Sequence, residues 1–461
     1  MLLTIIKKEF LNHVLSFRFS VFFVLVFLLS VVSMVVMSSR YNRDVEAYNL
    51  GCRERDTVLA ELPHARFLRL VTTSSRKPPN SLSFFSTGLE PIMSQPVRLT
   101  YGGGTSMAVP IATNPVFSLF TAPDLLFVVN IVVSLIALLF TFDAICGESE
   151  HGTLKLSLSN PVSRDKLIVG KWIAGYVSLI CPFLLAVLLG MVVILLSTSV
   201  DFSGEDRVRI GLFVLFCLTY ISVFFNLGLL VSASVRKSST ALMITLFLWV
   251  MVVLAIPNMS PIVARLIKEG PSAGELAERL IKAEHDAWDR YDIEEKKLGD
   301  DYEARDKLWE ETRAGIRRER NRLLDKYSDE AEPQVDVAIG ISRISASANF
   351  VYAATTLTRT GLTDFKNLAI YLHEFESDFR EAVDEIIKTS EKASKMSVTE
   401  ALKKDHREPV FDVKKVPYFM FKGVPLDKAI YHTLPNFVVL FIFNVFFFLG
   451  TYLQFMRYKV H

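Results

Sequence analysis

The chain has 461 residues, of which 51% are hydrophobic and 22% are charged, and its formal net charge is only +2. A half-apolar composition with positive mean hydropathy is typical of a membrane protein that also has substantial water-facing parts. The charged residues crowd between the apolar runs and form no basic stripe with interleaved aromatic residues, so we predict no nucleic-acid partner. Among the four cysteines, only Cys52 lies in a large water-facing segment, which predicts neither a disulfide framework nor a zinc site.

The apolar residues are concentrated in six runs, and a bilayer crossing needs roughly 20 such residues. Residues 1–14 come first and predict an amphipathic helix in the membrane interface, with apolar residues at helical spacing opposite Lys7 and Lys8. The first run is too long for the apolar part of a signal peptide and lacks a small-residue cleavage site, so we predict a retained anchor. The predicted spans are residues 15–38, 122–146, 166–197, 210–235, 239–257 and 434–456.

The first extramembrane segment, residues 39–121, lies between the first two spans. Its charged start, Arg40–Leu70, predicts a helix, whereas residues 74–118 are rich in Ser, Pro and Gly and predict loops and short strands. The glycine run after Tyr101 lacks the terminal Gly-Lys-Ser/Thr that grips a nucleotide, so a tight turn is predicted there instead of a phosphate-binding loop.

Residues 147–165 are a short polar and basic loop between the second and third spans. Gly152 and Pro161 are placed to break the helix on either side of Thr153–Ser159, and Ser163 is placed to cap the helix that follows. Basic residues close to the membrane predict a cytoplasmic loop. Four of them occur in this loop and beside it: Lys155, Arg164, Lys166 and Lys171.

The same loop carries a motif made of four parts: Glu148, the run Gly152-Thr153-Leu154, the run Ser159-Asn-Pro161-Val-Ser-Arg164, and the pair Gly170-Lys171. This arrangement resembles the ABC-2 family of ABC transporter permeases. The resemblance implies that the loop folds as a short helix on the membrane surface and docks in a groove of a separate ATP-binding subunit. It implies a role in coupling to that ATPase for Glu148, Gly152, Thr153, Leu154, Ser159, Pro161 and Arg164. Asp143, just inside the second span, is also a candidate, because with Glu148 it is placed to orient the loop toward basic groups of the ATPase.

Nucleotide hydrolysis is predicted to lie on another polypeptide, because no G-x-x-x-x-G-K-[ST] motif occurs in this chain. ATP and Mg would therefore be bound by the partner subunit, and no cofactor by this chain. No hydrolase motif and no metal-ligand spacing occurs either, so we predict a non-enzymatic subunit without catalytic residues or a metal site.

Six spans that start inside place both termini, including the tail 457–461, in the cytoplasm. Residues 39–121 and 258–433 then lie outside a bacterial cytoplasmic (inner) membrane. The short loops agree with this orientation, because their basic residues fall on the predicted inner side. These residues are Lys7, Lys8, Arg164, Lys166, Arg236, Lys237, Arg457 and Lys459.

The second external segment, residues 258–433, is the larger one, and Pro257 is expected to end the fifth span just before it. From Ala273 to Glu330 the chain is dense in charge, with apolar residues spaced by three, four and seven. This pattern predicts one long helix with a narrow apolar seam, which needs a second helix to pack against. A hairpin with its turn at Pro333 is therefore expected. Two candidate return helices follow that turn: Val335–Thr358 and Phe365–Thr389.

A second resemblance lies in this segment. It rests on nine residues: Ser342, Ser345, Ala346, Phe350, Leu357, Thr360, Gly361, Phe365 and Tyr371. They resemble the segment after the fifth span in ABC-2 permeases with long external insertions, among them permeases described as serving the maturation of multicopper enzymes. Arg343 stands where a proline is expected in that pattern.

Polar residues inside the bilayer are costly and therefore invite a functional interpretation. Asn130, Ser134 and Thr141 share one face of the second span, Asn226 lies in the fourth span and Asn444 in the sixth. Two interpretations remain open. These side chains either line a translocation path or a contact between two permease chains, or they form hydrogen bonds between helices without a role in transport.

The sequence as a whole predicts an all-α polytopic membrane protein with six transmembrane helices, an amphipathic N-terminal helix and a mostly helical extracytoplasmic domain built from two insertions. We expect a permease subunit, surrounded by membrane lipid, that pairs with a second permease chain, identical or different, and with two ATP-binding subunits. It would act as an exporter or perform mechanical work on an extracytoplasmic protein. The alternative is a membrane-anchored sensor or scaffold with a coiled-coil ectodomain. Six spans without a cytoplasmic signalling domain argue against that alternative.

Overall fold

The computed structural model describes residues 2–101, 104–107, 123–154, 163–197, 200–299, 301–393 and 411–457. In this part of the chain, six helical segments are long and apolar enough to cross a membrane. They are α2 (Phe17–Ala60), α4 (125–141) with α5 (Cys146–Glu150), α6 (Arg164–Ser197), α7 (Gly204–Ser234), α8 (Ser238–Ile267) and α13 (Leu426–Met456). The predicted fold class, an all-α polytopic membrane protein, is confirmed.

The other elements lie before, between and beyond these spans. They are α1 (Leu2–Val14), β1 (Thr72–Ser75), α3 (Glu90–Met93), β2 (Val97–Thr100), β3 (Gly104–Met107), α9 (Ala273–Leu298), α10 (Tyr302–Ser342), α11 (Ala346–Leu357) and α12 (Leu362–Ala393). Two single 3₁₀ turns complete the described secondary structure: Ala65–Arg69 and Val413–Lys415.

The first span continues without a break into the first insertion. The Ser16 side chain caps α2 by accepting a hydrogen bond from the backbone N–H of Phe19 at 3.2 Å. The helix then runs for 44 residues, about 66 Å at 1.5 Å per residue. No proline occurs before Pro63, so nothing in the sequence breaks it sooner. The helix predicted over Arg40–Leu70 is therefore continuous with the span as far as Ala60.

Proline does not end the fifth span, contrary to the expectation at Pro257. A π-helical stretch, Val250–Ala255, precedes this proline, and a π-bulge accommodates the missing N–H of a proline. One backbone carbonyl of the bulge, that of Val252, accepts a hydrogen bond from the Ser345 hydroxyl at 2.5 Å. The helix then continues to Ile267.

The hairpin of the second insertion turns at Gly299, so the prediction of a turn at Pro333 is wrong. Gly299 has φ +59°, a left-handed conformation that glycine adopts readily. Asp301 then caps α10 by accepting from the backbone N–H of Ala304 at 3.1 Å. Pro333 lies inside α10. The predicted single helix from Ala273 to Glu330 is thus two antiparallel helices, α9 and α10, that pack against each other.

The first insertion contributes a small sheet, in agreement with the short strands predicted there. Its order is β1–β2–β3, with both pairs antiparallel. Val97 and Leu99 on the inner face of β2 pack with Leu59 at the end of α2 and with Phe375 and Phe379 of α12. The two insertions therefore share one apolar core, which is separate from the core of the membrane bundle.

A helix of the second insertion, α11, returns into the membrane bundle. Ten of its 12 residues are buried, and it packs against α7 and α13. The Phe350 ring stacks on the Tyr220 ring of α7 with 4.3 Å between ring centroids. The sequence gives no separate sign of this return, because α11 has the composition of an ordinary buried helix.

Close helix contact in the bundle leads to a packing prediction at Gly228 of α7. A Cβ atom at Gly228 would lie 2.0 Å from Thr141 Oγ1 and 3.1 Å from Thr141 Cβ, and a β-branched side chain has little freedom to move away. We expect Gly228→Ala to lower the free energy of unfolding by about 1–3 kcal/mol, measured by thermal or denaturant unfolding in detergent. Gly211→Ala on the same helix is the control, because no side chain of the described residues lies within 4 Å of the added Cβ there. If Thr141→Ala does not reduce the cost of Gly228→Ala, the contact is not its cause.

Candidate functional site

The loop between the second and third spans begins with α5, and hydrogen bonds to another helix hold the start of α5 in place. α5 has no side-chain cap of its own at Ile145, so its first backbone N–H groups need other acceptors. The buried hydroxyl of Ser232 in α7 accepts from the N–H of Ile145 at 2.9 Å and from that of Cys146 at 3.2 Å. The start of α5 is therefore held by the fourth span.

The other end of α5 is held by the fifth span. Glu150 Oε2 accepts from the backbone N–H of Ser238 at 3.1 Å and from its hydroxyl at 2.8 Å. Ser238 is the first residue of α8, whose preceding residue makes no side-chain cap, and a carboxylate is favourable at a helix N-terminus. Sequence reasoning missed Glu150, Ser232 and Ser238, because each finds its partner about 90 residues away along the chain.

Glu148, predicted as a coupling residue, belongs to a partly buried charge cluster centred on Lys171. Its carboxylate accepts from Lys171 Nζ of α6 at 2.5 Å. The same ammonium lies 3.5 Å from Glu9 Oε2 of α1, and the Lys171 side chain is only 8% exposed. One lysine therefore joins the amphipathic helix, the third span and α5.

The amphipathic helix lies directly on the third span. A Cβ atom at Gly170 would come within 2.8 Å of Ile5 Cγ2, so α1 approaches α6 more closely than a larger residue would permit. The ring of His13, which is also on α1, packs against the ring of Phe140 on α4 with 4.7 Å between the ring centroids. Burial lowers the pKa of the His13 imidazole, the Glu9 carboxylate opposes this, and the Lys171 ammonium adds to the lowering.

Asp143, the other predicted acidic residue, faces the first span. Its Oδ2 atom accepts from Arg18 Nη1 at 2.5 Å, and its side chain is 24% exposed. A cavity of about 410 Å³ lies between Asp143 and the Glu148–Lys171 pair, with Glu9 and His13 in its wall. Within the described residues, no group of three or more His, Cys, Asp or Glu side chains is arranged to hold a metal ion.

The remaining loop residues of the motif fall on both sides of the undescribed stretch. Gly152 has φ +73°, and the Thr153 hydroxyl donates to the Glu148 carbonyl at 3.2 Å. Leu154 is buried in a small apolar cluster with residues of α6, α7 and α13. Arg164 Nη1 donates to the carbonyl of Met456, the last residue of the sixth span, at 2.8 Å. Ser159 and Pro161, and most of the helix predicted over 153–159, lie outside the described residues.

The polar residues of the second span have partners within the chain. Asn130 Oδ1 accepts from the hydroxyl of Tyr220 at 2.7 Å and from that of Ser347 at 2.8 Å, which ties α4 to α7 and α11. Ser134 Oγ accepts from Trp249 Nε1 at 2.9 Å. The Thr141 hydroxyl donates to the carbonyl one turn earlier in its own helix.

The two remaining asparagines bond to each other across helices. Asn226 Nδ2 donates to Asn444 Oδ1 at 2.9 Å, and Asn226 Oδ1 accepts from Trp172 Nε1 at 2.6 Å. Asn444 Nδ2 in turn donates to the carbonyl of Thr219 at 3.0 Å. These bonds join α6, α7 and α13, as expected for polar groups that hold helices together.

The opposite end of the bundle has a second charge cluster, centred on Arg209. This residue is 1% exposed and donates to Glu205 Oε1 and to the carbonyls of Leu357 and Val424. Arg359, in the turn between α11 and α12, donates to Glu205 Oε1 at 3.0 Å and has φ +56°. The cluster joins the start of the fourth span to the second insertion, including the segment that leads into the sixth span.

A buried acid beside this cluster leads to a pH prediction. Asp364 Oδ1 accepts from the backbone N–H of Val424 at 2.9 Å, and burial raises the pKa of Asp364 from 3.8 to about 6. Because the folded pKa is the higher one, the stability contribution is complete below pH 3.8 and lost as pH rises through 6. We expect Asp364→Asn to gain roughly 2–3 kcal/mol over the wild type between pH 4 and 7. Unfolding curves that keep a constant separation over this range would contradict the prediction, and Asp378→Asn, exposed on the same helix, is the control.

The chain is similar to known transporter proteins along most of its length. Residues 3–460 match the family model described as "ABC-2 family transporter protein". Over 124 residues the chain is 32% identical to the protein named "Probable ABC transporter permease protein NosY" of Stutzerimonas stutzeri. That alignment covers 26% of this chain and 44% of the relative, so it spans less than half of the relative's length.

Proposed function

The chain belongs to the ABC-2 family of transporter proteins, and from this premise we propose that it is the membrane subunit of a transporter driven by a separate ATP-binding subunit. Two copies of that subunit, which would bind ATP and Mg, pair with two permease chains. The complex lies in a bacterial cytoplasmic membrane. The loop 147–165 and both termini face the cytoplasm, where the ATP-binding subunits are.

The observation that carries this proposal is the bracing of α5. Ser232, Ser238 and Lys171 attach this short helix to the fourth, fifth and third spans through contacts of 2.5–3.2 Å. Force applied to the loop by an ATP-binding subunit would therefore move these spans together. Switching motions of this kind are commonly rigid-body rotations of helices about an interface.

The exposed part of the loop supports it as the docking point. His151, Gly152 and Thr153 are exposed, whereas Leu154 is buried and anchors the loop. Within the part of the chain that the structure describes, no other residue lies within 4 Å of the position that a Cβ at Gly152 would take, which leaves room for a partner surface. We propose that the residues from Glu148 to Arg164 receive the movement of the ATP-binding subunits. Lys171 would hold Glu148 in position, and Arg18 would hold Asp143 in position.

Movement of the spans would reach the external domain through continuous helices. The helices of the first and fifth spans, α2 and α8, are longer than a bilayer crossing requires. The outer end of α8 packs against α10. The complex would use this motion to export a substrate or to do mechanical work on an extracytoplasmic protein. A vesicle transport assay with the reconstituted complex distinguishes these two outcomes. The internal bonds of Asn130, Asn226 and Asn444 favour a bracing role for these residues over a lining role.

Site-specific photo-crosslinking tests the proposal. A photoreactive amino acid at His151 or Thr153, in the full chain expressed in its native membrane, is expected to capture a subunit that carries a nucleotide-binding motif, identified by mass spectrometry. The same amino acid at Ile281, which is 70% exposed on α9 at the opposite end, is the control and should not capture it. A purified complex that never contains an ATP-binding subunit would overturn the proposal and favour the sensor or scaffold alternative.

A further inference from the structure

The strand β1 lies at one edge of the small sheet of the first insertion, and the side of β1 that faces away from β2 has no partner. Its residues Thr72–Ser75 pair with Val97–Thr100 of β2. In the part of the chain that the structure describes, the backbone of Thr72–Ser75 makes no other hydrogen bond. The backbone N–H and C=O groups of a strand point alternately to its two sides, so about half of those in β1 lie at the free edge. Such a row of unpaired groups is a template for the addition of another strand.

A groove runs along this free edge, between β1 and α2. Leu50, Gly51 and Val58 line it on the side of α2, and Thr72–Ser74 line it on the side of β1. Thr73 is buried and its two neighbours are exposed, so residues from both faces of the sheet line the groove, as expected of a groove at an edge. Its volume is about 380 Å³. Because the four residues of β1 span about 13 Å, the mean width of the groove is roughly 5 Å, which matches the spacing of about 4.8 Å between neighbouring strands.

The groove is open to water and lies beyond the apolar part of the first span. Leu50 is 50% exposed and Val58 is 43% exposed, although both are large apolar residues. At Gly51, no described residue lies within 4 Å of the position that a Cβ would take. Leu50 comes 13 residues after Met37, at which the apolar stretch ends, and this corresponds to about 20 Å of helix. Lipid therefore does not cover these side chains, and an exposed apolar wall beside an unpaired strand indicates a surface that binds protein.

The groove has room for one strand and not for the sheet of a second copy of the chain. The strand order is β1–β2–β3. If β1 of a second copy paired here, the β2 strand of that copy would occupy the space in which α2 lies. The occupant is therefore a single extended segment with no strand on its far side.

The charges in the lining balance one another. Glu54 and Arg76 carry opposite signs. The third charged residue of the lining, Arg55, has a counter-ion in Asp56, with 3.4 Å between Nη1 and Oδ1. Charge complementarity therefore favours an uncharged segment in the groove.

We propose that the groove between α2 and β1 binds an uncharged extended segment of an extracytoplasmic partner protein, which adds to the sheet as a fourth strand. Main-chain hydrogen bonds to β1 would hold the segment, and the packing of its apolar side chains against Leu50 and Val58 would give selectivity. The proposal rests on the proposed function only for the side of the membrane on which the groove lies. A movement of α2 would act directly on a partner that is held in this way.

Binding is tested with the full-length chain in nanodiscs of phosphatidylcholine and a defined probe, a fluorescein-labelled peptide of three Val-Thr repeats with blocked ends. Saturable binding, measured by fluorescence anisotropy, is expected. Hydrogen exchange is the second readout. The amides at the free edge of β1 should exchange faster than those of β2, which pairs on both sides, and saturating peptide should slow their exchange at least tenfold. The same peptide with N-methylated amides has no backbone donors and should not bind.

A substitution on α2 tests the position of the bound peptide. Gly51→Leu is expected to fill the groove and to weaken the Kd at least tenfold. The variant should remain folded, because no described residue crowds this position and leucine has a higher helix propensity than glycine. Gly315→Leu on α10, where likewise no described residue lies within 4 Å of the added Cβ, is the matched control and should not change the Kd. Thermal unfolding without peptide shows that both variants are folded.

The proposal is overturned if the peptide does not bind, or if it binds without slowing exchange in Thr72–Ser75. It is also overturned if Gly51→Leu binds the peptide like the wild type. Amides of β1 that are already as protected as those of β2 in the free protein would overturn it too, because another segment or a second copy would then cover the edge. The assay contains no ATP-binding subunit, so its failure would leave the proposed function intact.

Discussion

Replacing Arg209 with alanine is expected to lower the free energy of unfolding by about 3–5 kcal/mol, because it leaves buried carbonyl groups without their donor and opens a cavity where the side chain lay. The guanidinium group is fully buried. Its loss would leave Glu205 with Arg359 alone and would remove the donor to the carbonyls of Leu357 and Val424. Unfolding of the purified chain in detergent, followed by tryptophan fluorescence, measures the effect.

Arg207 provides the control for this experiment. It lies two residues earlier on the same helix and is exposed, so Arg207→Ala should change the stability by less than about 0.5 kcal/mol. Arg209→Lys is expected to lie between the two, since an ammonium keeps the charge but cannot reach several acceptors at once. Equal effects of Arg209→Ala and Arg207→Ala would show that the cluster contributes nothing to stability.

Replacing Lys171 with methionine is expected to reduce the coupled activity of the assembled complex tenfold or more, if the proposed function is correct. The substitution keeps the length of the side chain but leaves Glu9 and Glu148 without the cation between them. Repulsion between the two carboxylates would then loosen α5 from α1 and α6. The measurement is ATP turnover of the complex and the associated movement of spin labels on α9, both normalised to the amount of assembled complex.

A double substitution separates this effect from general damage. In Lys171→Met with Glu148→Gln, one of the two opposed charges is gone, so the loss should be smaller than the sum of the two single losses. Lys166→Met, exposed on the first turns of the same helix, is the control and should keep full coupling. Strict additivity of the two single substitutions would contradict a direct pair between Lys171 and Glu148.

The parts of the fold that depend on local composition could be predicted from the sequence. Apolar runs identify spans because every backbone group in a membrane helix bonds within its own segment. The predicted position of the hairpin turn is wrong for a reason that is also local. Pro333 is a strong helix breaker on average, but the left-handed backbone at Gly299, followed by the cap at Asp301, ends the helix earlier.

The parts that depend on distant partners could not be predicted. Nothing near Glu148 in the sequence indicates that its counter-ion is Lys171, and nothing near Ser347 indicates that it bonds to Asn130, 217 residues away. Arg209 lies in what the sequence presents as a short connection of mixed charge, yet it is buried against carbonyls more than 140 residues distant. Such contacts arise from packing, and a single sequence carries no record of them.

If the proposed function is correct, the unbroken length of α2 determines how far a movement of the first span displaces the external domain. About half of the helix, from Ser38 to Ala60, projects past the apolar stretch, which corresponds to roughly 35 Å at 1.5 Å per residue. A tilt of about 10° within the lipid would swing the far tip sideways by about 6 Å, on the scale of the shifts by which packed helices change register. Leu59 near that tip is embedded in the core of both insertions, so the whole outer domain would be carried along the same arc.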